Sequence, residues 1–352
     1  MSRKKTSKIK YNPEMPSETY DISDLRALQD SQIMEHMAGT PGMRFDDADD
    51  ASVFFARELD HIKTRTYDRL YPELTALKLF PVSSEVNPGA ETITYYGYEK
   101  IGFAKIIQNY ATDLPRTDVK GKPETAHIKS IGASYGYSVQ EMRASRYAGK
   151  SLDVRKGESA RYASDKEINR IAWVGDEEAG LMGVLSSWNN VPLYTPALNS
   201  GGTSTQFKDK TPDEILKDFS GAIAFMAQIT MDVERPNTIA VASDAYIYLS
   251  TTPRSTHSDK TILSWLLDNL PDIEDIVRCP ELNANSGINP YGSQAVMLLY
   301  NKSDEKLTIE NPLLFYQYPV QPVNLEMVIP CEARTAGTII YYPLSMLIVP
   351  GV

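Results

Sequence analysis

The sequence predicts an α+β protein, and three patterns carry that expectation. Two runs of period-two apolar residues flank the charged stretch Leu114–Thr125, a long segment from Asp153 repeats at helical spacing, and the second half alternates short helices with short apolar strands. A chain of 352 residues is long for one core, so two domains or one elaborated domain are expected. Its 21 Tyr and 22 Pro against 9 Phe favour strands and exposed turns.

Taken in order, residues 1–48 hold Pro13, Pro16, Gly39, Pro41 and Gly42 with only weak periodicity, and are expected to form an extended arm. Phe55, Leu59, Ile62, Thr66 and Leu70 then recur at helical spacing. Asp46, Asp47, Asp49 and Asp50 precede them at the positive end of the dipole, and Pro72 stops the run.

In "ETITYYGYEKIGFAKII" the odd positions Ile93, Tyr95, Ile101, Phe103 and Ile107 form one face. Downstream, Ile131, Ala133, Tyr135, Tyr137 and Val139 share a face while Ser130, Gly132, Ser134, Gly136 and Ser138 share the other. The reading is one two-stranded ribbon with "LPRTDVKGKPET" at its tip. At about 3.3 Å per residue it is on the order of 40 Å long. An isolated ribbon is marginally stable in water, so another part of the chain or a second copy must cover its apolar face.

Val154, Tyr162, Ile168, Ile171 and Trp173 mark a long amphipathic helix with Arg161 and Asp165 one turn apart, Gly157 as its weak point, and an end at Gly175 or Gly180. Thr211, Pro212 and Glu214 form a capping-box start for a helix carrying Ile215, Phe219, Ile223, Met226 and Ile229. "TIAVAS" reads as a buried strand, Ser243 and Asp244 open a short helix, and Ser258 with Asp259 cap "KTILSWLLDNL". Strands are expected at "IEDIVRC", "SQAVMLLYN", "VNLEMVI" and "GTIIYYPLSMLIV".

No local motif supports catalysis, a cofactor or a metal. Cys279 and Cys331 fit neither metal-ligand spacing nor a disulfide framework, and His36, His61, His127 and His257 are scattered. Asp47, Asp49 and Glu58 match three calcium-loop positions, but Ala51 and Ser52 occupy positions that need an oxygen donor and a glycine. "SGGTST" lacks the Gly-Lys ending of a phosphate loop. The adjacent carboxylates Asp176, Glu177 and Glu178 read as a solvated helix end, with carboxylate hydrolysis as the rival. The most apolar tract, near the C-terminus, is too short to span a bilayer and contains Pro343.

Formal net charge is −10, and Arg3, Lys4, Lys5, Lys8 and Lys10 place five positive charges on the first ten residues; subtracting five from −10 leaves −15 on the rest. Nucleic acid and membrane phosphates repel such a body, while the basic tip is either a solvated terminus or a contact for nucleic acid or an acidic partner.

The order of elements, together with "FFARELDHIKTRTYDRLYPELTALKLFPV", "AWVGDEEAGLMGVLSSWNNVP" and "CEARTAGTIIYYPLSMLIV", resembles tailed-phage major capsid proteins with the Hong Kong 97-type fold, which encapsulin shells share. The resemblance runs from about residue 50 onward. It implies an N-terminal arm (1–48), a helix and the start of a peripheral domain (49–84), and an extended loop (85–138). A peripheral domain with the spine helix (139–186), an axial domain with some peripheral strands (187–330) and a closing strand (331–352) follow.

The function implied is that of a structural, non-enzymatic subunit. Pentamers and hexamers would close into an icosahedral shell around double-stranded DNA, assembled in the host cytoplasm and residing in the virion. Tyr95, Phe103, Pro115, Lys120, Lys122, Tyr135 and Tyr137 become candidate contacts between copies, and Arg3, Lys4, Lys5, Lys8 and Lys10 candidate contacts for a scaffold protein or DNA. The arm is too short to contain a scaffolding segment, so a separate scaffold or none is expected; portal and decoration proteins are further possible partners. DNA would be contacted only non-specifically. The alternatives are an encapsulin-like nanocompartment shell and, in another class, a two-domain carboxylate hydrolase.

Overall fold

A computed structural model describes residues 71–106, 114–149, 152–255 and 259–352. The N-terminal arm with its basic residues, the helix expected between Asp50 and Leu70, and His36, His61 and His257 lie outside the described residues.

A one-turn helix, α1 (Ala76–Leu79), and a two-residue strand, β1 (Val82–Ser83), lead into three ten-residue strands. These are β2 (Thr92–Ile101), β3 (Asp118–His127) and β4 (Lys129–Ser138). A ribbon is present, but with a different return strand from the expected one. β2 pairs antiparallel with β3, from Thr92 opposite His127 out to Ile101 opposite Asp118. Most of Leu114–Thr125 is therefore ribbon strand, and the reversal lies between Ile101 and Asp118. β4 pairs instead over its whole length with a strand at Glu326–Thr335. The physical reason is that period two identifies a strand and its faces without identifying its partner. β3, with Gly121 and Pro123, has little to bury and is tolerated in an exposed ribbon, whereas the Tyr-lined face of β4 requires a covered sheet.

Val139, expected as strand, starts α2 (Val139–Ala148). The Ser138 side chain accepts from the Glu141 N–H at 3.0 Å, the Glu141 carboxylate accepts from the Ser138 N–H at 3.1 Å, and left-handed Gly149 ends the helix. The spine helix is α3 (Leu152–Val174), 23 residues long. It ends in a hairpin of β5 (Gly175–Asp176) and β6 (Leu181–Met182). Here main chain packs on main chain: a Cβ on Gly183 would lie 2.2 Å from the Gly175 nitrogen. The Asp176–Glu178 triplet forms this turn. Asp176 accepts from the Ala179 N–H at 3.0 Å and pairs with Arg170 at 3.2 Å.

The capping box at Thr211 and Glu214 opens α4 (Pro212–Thr230), which buries Ile215, Phe219, Ala222 and Met226 along one stripe. β7 (Thr238–Ala242), α5 (Ser243–Thr251) and α6 (Ile262–Asn269) follow, and the cap of α6 is Thr261 in place of Ser258. The remaining strands are β8 (Asp275–Cys279), β9 (Val296–Tyr300), β10 (Leu307–Glu310), β11 (Leu313–Gln317) and β12 (Gln321–Val323). After them come β13 (Glu326–Thr335), β14 (Gly337–Ile340) and β15 (Met346–Pro350). The tract expected as one closing strand is divided at Pro343. β14 joins the sheet β1-β10-β14-β6-β5 and β15 the sheet β15-β9-β7-β8.

The larger core lies on β15-β9-β7-β8, whose inner strands are apolar on both faces because helices cover them. Phe80 links it to the spine helix, with ring centroids 5.2 Å from Trp173 and 5.3 Å from Tyr300. Beside it, the buried Glu281 carboxylate accepts from the Thr75 N–H (3.1 Å), the Thr75 hydroxyl (2.7 Å), the Asn169 amide (3.1 Å) and the Cys279 thiol (3.3 Å). Burial, then the Glu281 charge, pushes the Cys279 thiol up, so it stays protonated.

Lys210 and Asp218 form an ion pair with side chains only 1% and 3% exposed. Lys210→Met strands a buried carboxylate and is expected to lower unfolding stability by about 3–5 kcal/mol in a denaturant melt, with Lys210→Met plus Asp218→Leu regaining most of it.

Candidate assembly surface

The ribbon has two unlike faces, fixed by its register. One carries Ile93, Tyr95, Gly97 and Glu99 opposite Ala126, Glu124, Lys122 and Lys120. Its inner end packs on the body: Ile93, Tyr95 and Ala126 join Ile128, Ala336, Ile339 and Tyr341, and Tyr95 meets Tyr341 edge-on at 5.0 Å. The other face carries Thr94, Tyr96, Tyr98 and Lys100 opposite Thr125, Pro123, Gly121 and Val119. Tyr96 is 63% and Tyr98 73% exposed, and Gly121 lies under the Tyr98 ring. Large apolar surface left this open marks an interaction site.

Tyr95, expected as a contact between copies, is therefore the ribbon's own anchor. Its hydroxyl donates to Glu124 Oε2 at 2.8 Å, and Lys122 pairs with Glu124 Oε1 at 3.0 Å. Burial first, then the Glu124 hydrogen bond, raises the tyrosine; that same bond first, then Lys122, lowers Glu124. Lys120 and Lys122 lie on the ribbon strand and not at a tip. Phe103 is 70% exposed beyond the end of β2, and half-buried Pro115 precedes β3.

Tyr135 and Tyr137 are part-buried within the subunit. With Ala133 they pack against Ala160 of α3 and against Ile329 and Cys331 of β13. On the reverse face of that sheet Gly132, Ser134 and Gly136 pair with Glu332, Pro330 and Val328; a Cβ on Gly132 would meet nothing within 4 Å, while one on Gly136 would meet Glu326 Oε1 at 2.8 Å. Tyr316, opposite Glu332, meets Tyr318 edge-on at 5.1 Å, and the Tyr318 hydroxyl donates to Glu332 at 2.7 Å. A flat Gly/Ser trough thus runs beside an aromatic ridge. The sequence displayed this trough as the second face of the 130–138 alternation, but gave no signal for the ridge or for β3.

Among the described residues no group of His, Cys, Asp and Glu is arranged to hold a metal ion, and no helix is long and apolar enough to cross a membrane. The described residues thus combine a projecting ribbon, a spine helix laid on a sheet and a second α/β layer, with the chemistry of a structural subunit left to its surfaces. The family profile described as Major capsid protein matches residues 102–352. The chain belongs to that family and is a structural protein of a capsid shell, with the Hong Kong 97-type fold.

Among solved structures, the capsid of Myoviridae phage XM1 aligns with TM-score 0.72 at 13% identity, over 85% of this chain and 99% of that one. The capsid of the native GTA particle aligns at 0.61 and 9%, over 87% and 99%. Mycobacterium phage Ogopogo aligns at 0.55 and 11%, over 83% and 96%. No curated protein matches the sequence.

Tyr95→Phe tests the anchor. A depressed carboxylate contributes stability that is present above its unfolded value, near 4.3, and lost as pH falls through the folded value. Without the tyrosine hydroxyl, the Glu124 titration followed by carboxyl NMR is expected to move up toward the ordinary range, and that acid-side loss to shrink.

Proposed function

We propose that copies of this chain form pentamers and hexamers that close an icosahedral shell around double-stranded DNA, each ribbon lying across a neighbouring copy. The observation that carries this reading is the Tyr96 and Tyr98 face, which the described residues leave largely exposed. Its counterpart is the Gly/Ser strip beside Tyr316 and Tyr318, where the open space at Gly132 lets an aromatic ring approach the backbone.

Burying one such tyrosine contributes on the order of 1.5–3 kcal/mol, so a single contact is weak and reversible while many together hold a shell. The charge of −15 outside the first ten residues supports a lining that does not hold packaged DNA. The basic residues Arg3, Lys4, Lys5, Lys8 and Lys10 are the segment we assign to a scaffold protein or to DNA. Assembly would take place in the host cytoplasm.

Tyr96→Ser with Tyr98→Ser is the direct test. The variant is expected to melt within a few degrees of the parent and yet to yield few closed particles by negative stain and sedimentation. Normal particle yield from a folded variant would refute the role given to the ribbon.

A further inference from the structure

Beyond its root the ribbon stands away from the body across a cleft of about 900 Å³. Ribbon residues Glu99, Lys120 and Lys122 line one side, and Asp304, Glu305, Tyr341 and Tyr342 the other. Asp304 and Glu305 sit in a tight turn closed by the Lys306 N–H on the Ser303 carbonyl at 3.0 Å. The lysines flanking them are committed elsewhere. Lys302 donates to the Lys78 carbonyl at 3.1 Å, and Lys306 pairs with Glu234 at 2.5 Å and covers the Tyr342 ring at 4.5 Å. Asp304 and Glu305 thus have no cation among the described residues. Lys120, directly opposite Glu99, likewise forms no ion pair among them.

The ribbon also has a weak step at the right place. Gly97 lies opposite Lys122 and Gly121 opposite Tyr98, so two glycines occupy neighbouring rungs. Glycine inside a strand removes packing and permits a bend. Inward of that step Tyr95 is locked on Tyr341; outward of it Tyr98, Glu99, Lys100 and Ile101 are exposed. We infer that the ribbon is a strap that bends at the Gly97–Gly121 step and closes onto the Ser303–Lys306 turn, seating Lys120 on Asp304 and Glu305 while Lys122 keeps Glu124. Closing changes the angle at which Tyr96 and Tyr98 are presented. The inference concerns the free subunit, and it stands whether or not the ribbon lies on a neighbouring copy.

Exposed ion pairs shift a population by up to about fivefold each and are screened by salt. The test is pulsed electron resonance on the full chain, spin-labelled at Lys100→Cys and Glu85→Cys; Cys279 and Cys331 are buried and do not compete for label. A shorter-distance population is expected in 50 mM NaCl and should fall severalfold in 0.5 M NaCl. It should disappear in Lys120→Glu and return when Asp304→Lys/Glu305→Lys is added. A distance distribution indifferent to salt, or one unchanged by the charge reversal, would overturn the strap.

Discussion

The ladder between β4 and β13 is the constraint on which the other features rest. Ten consecutive pairs join Lys129–Ser138 to Glu326–Thr335, closing a loop of nearly two hundred residues. The entropic cost of so distant a pairing grows only slowly with loop length, so the cost is mainly one of folding time. In return β4 is held at both ends. Ser138 finishes the strand and caps α2, while Ile128, just before its start, is buried where the ribbon is rooted. One face then seats the spine helix and the other stays open. A ribbon made from β2 and β4 would have left the Tyr135 and Tyr137 face without a helix to cover it.

Glu281 ties the two layers together by a different physical means. Its carboxylate is buried with no cation among the described residues and accepts from neutral donors in the segment before α1, in the spine helix and in β8. Such a group is stable only while every donor is in place. It fixes a mutual position more strictly than apolar contact, which tolerates sliding.

Local patterns showed the spine helix nearly to its ends, the capping box of α4, the buried β7 and the Gly/Ser face of β4, because each is written within a short window. Pairing is not written there. "VKGKPETAH" has turn chemistry and no apolar alternation, so its role as the second ribbon strand follows only from what β2 needs as a backbone partner. For the same reason the odd face of β2, read as needing cover from another part of the chain or from a second copy, finds Tyr341 of its own chain, a residue about 245 positions away whose proximity no periodicity encodes. The candidate assembly surface was half legible: the need for cover was visible, while the exposed Tyr96 and Tyr98 face was not.

The last strands also impose an order of events in time. β4 gains its partner only at residues 326–335, and the sheet β15-β9-β7-β8 gains its edge only at 346–350. During synthesis the ribbon's root and the trough beside it cannot be set until nearly all of this sequence has left the ribosome. A chain ending before residue 326 has the local β2–β3 pair but lacks both the partner of β4 and the residues Ala336, Ile339 and Tyr341 on which the ribbon is rooted. The orientation of the ribbon is thus among the last features of the subunit to be fixed.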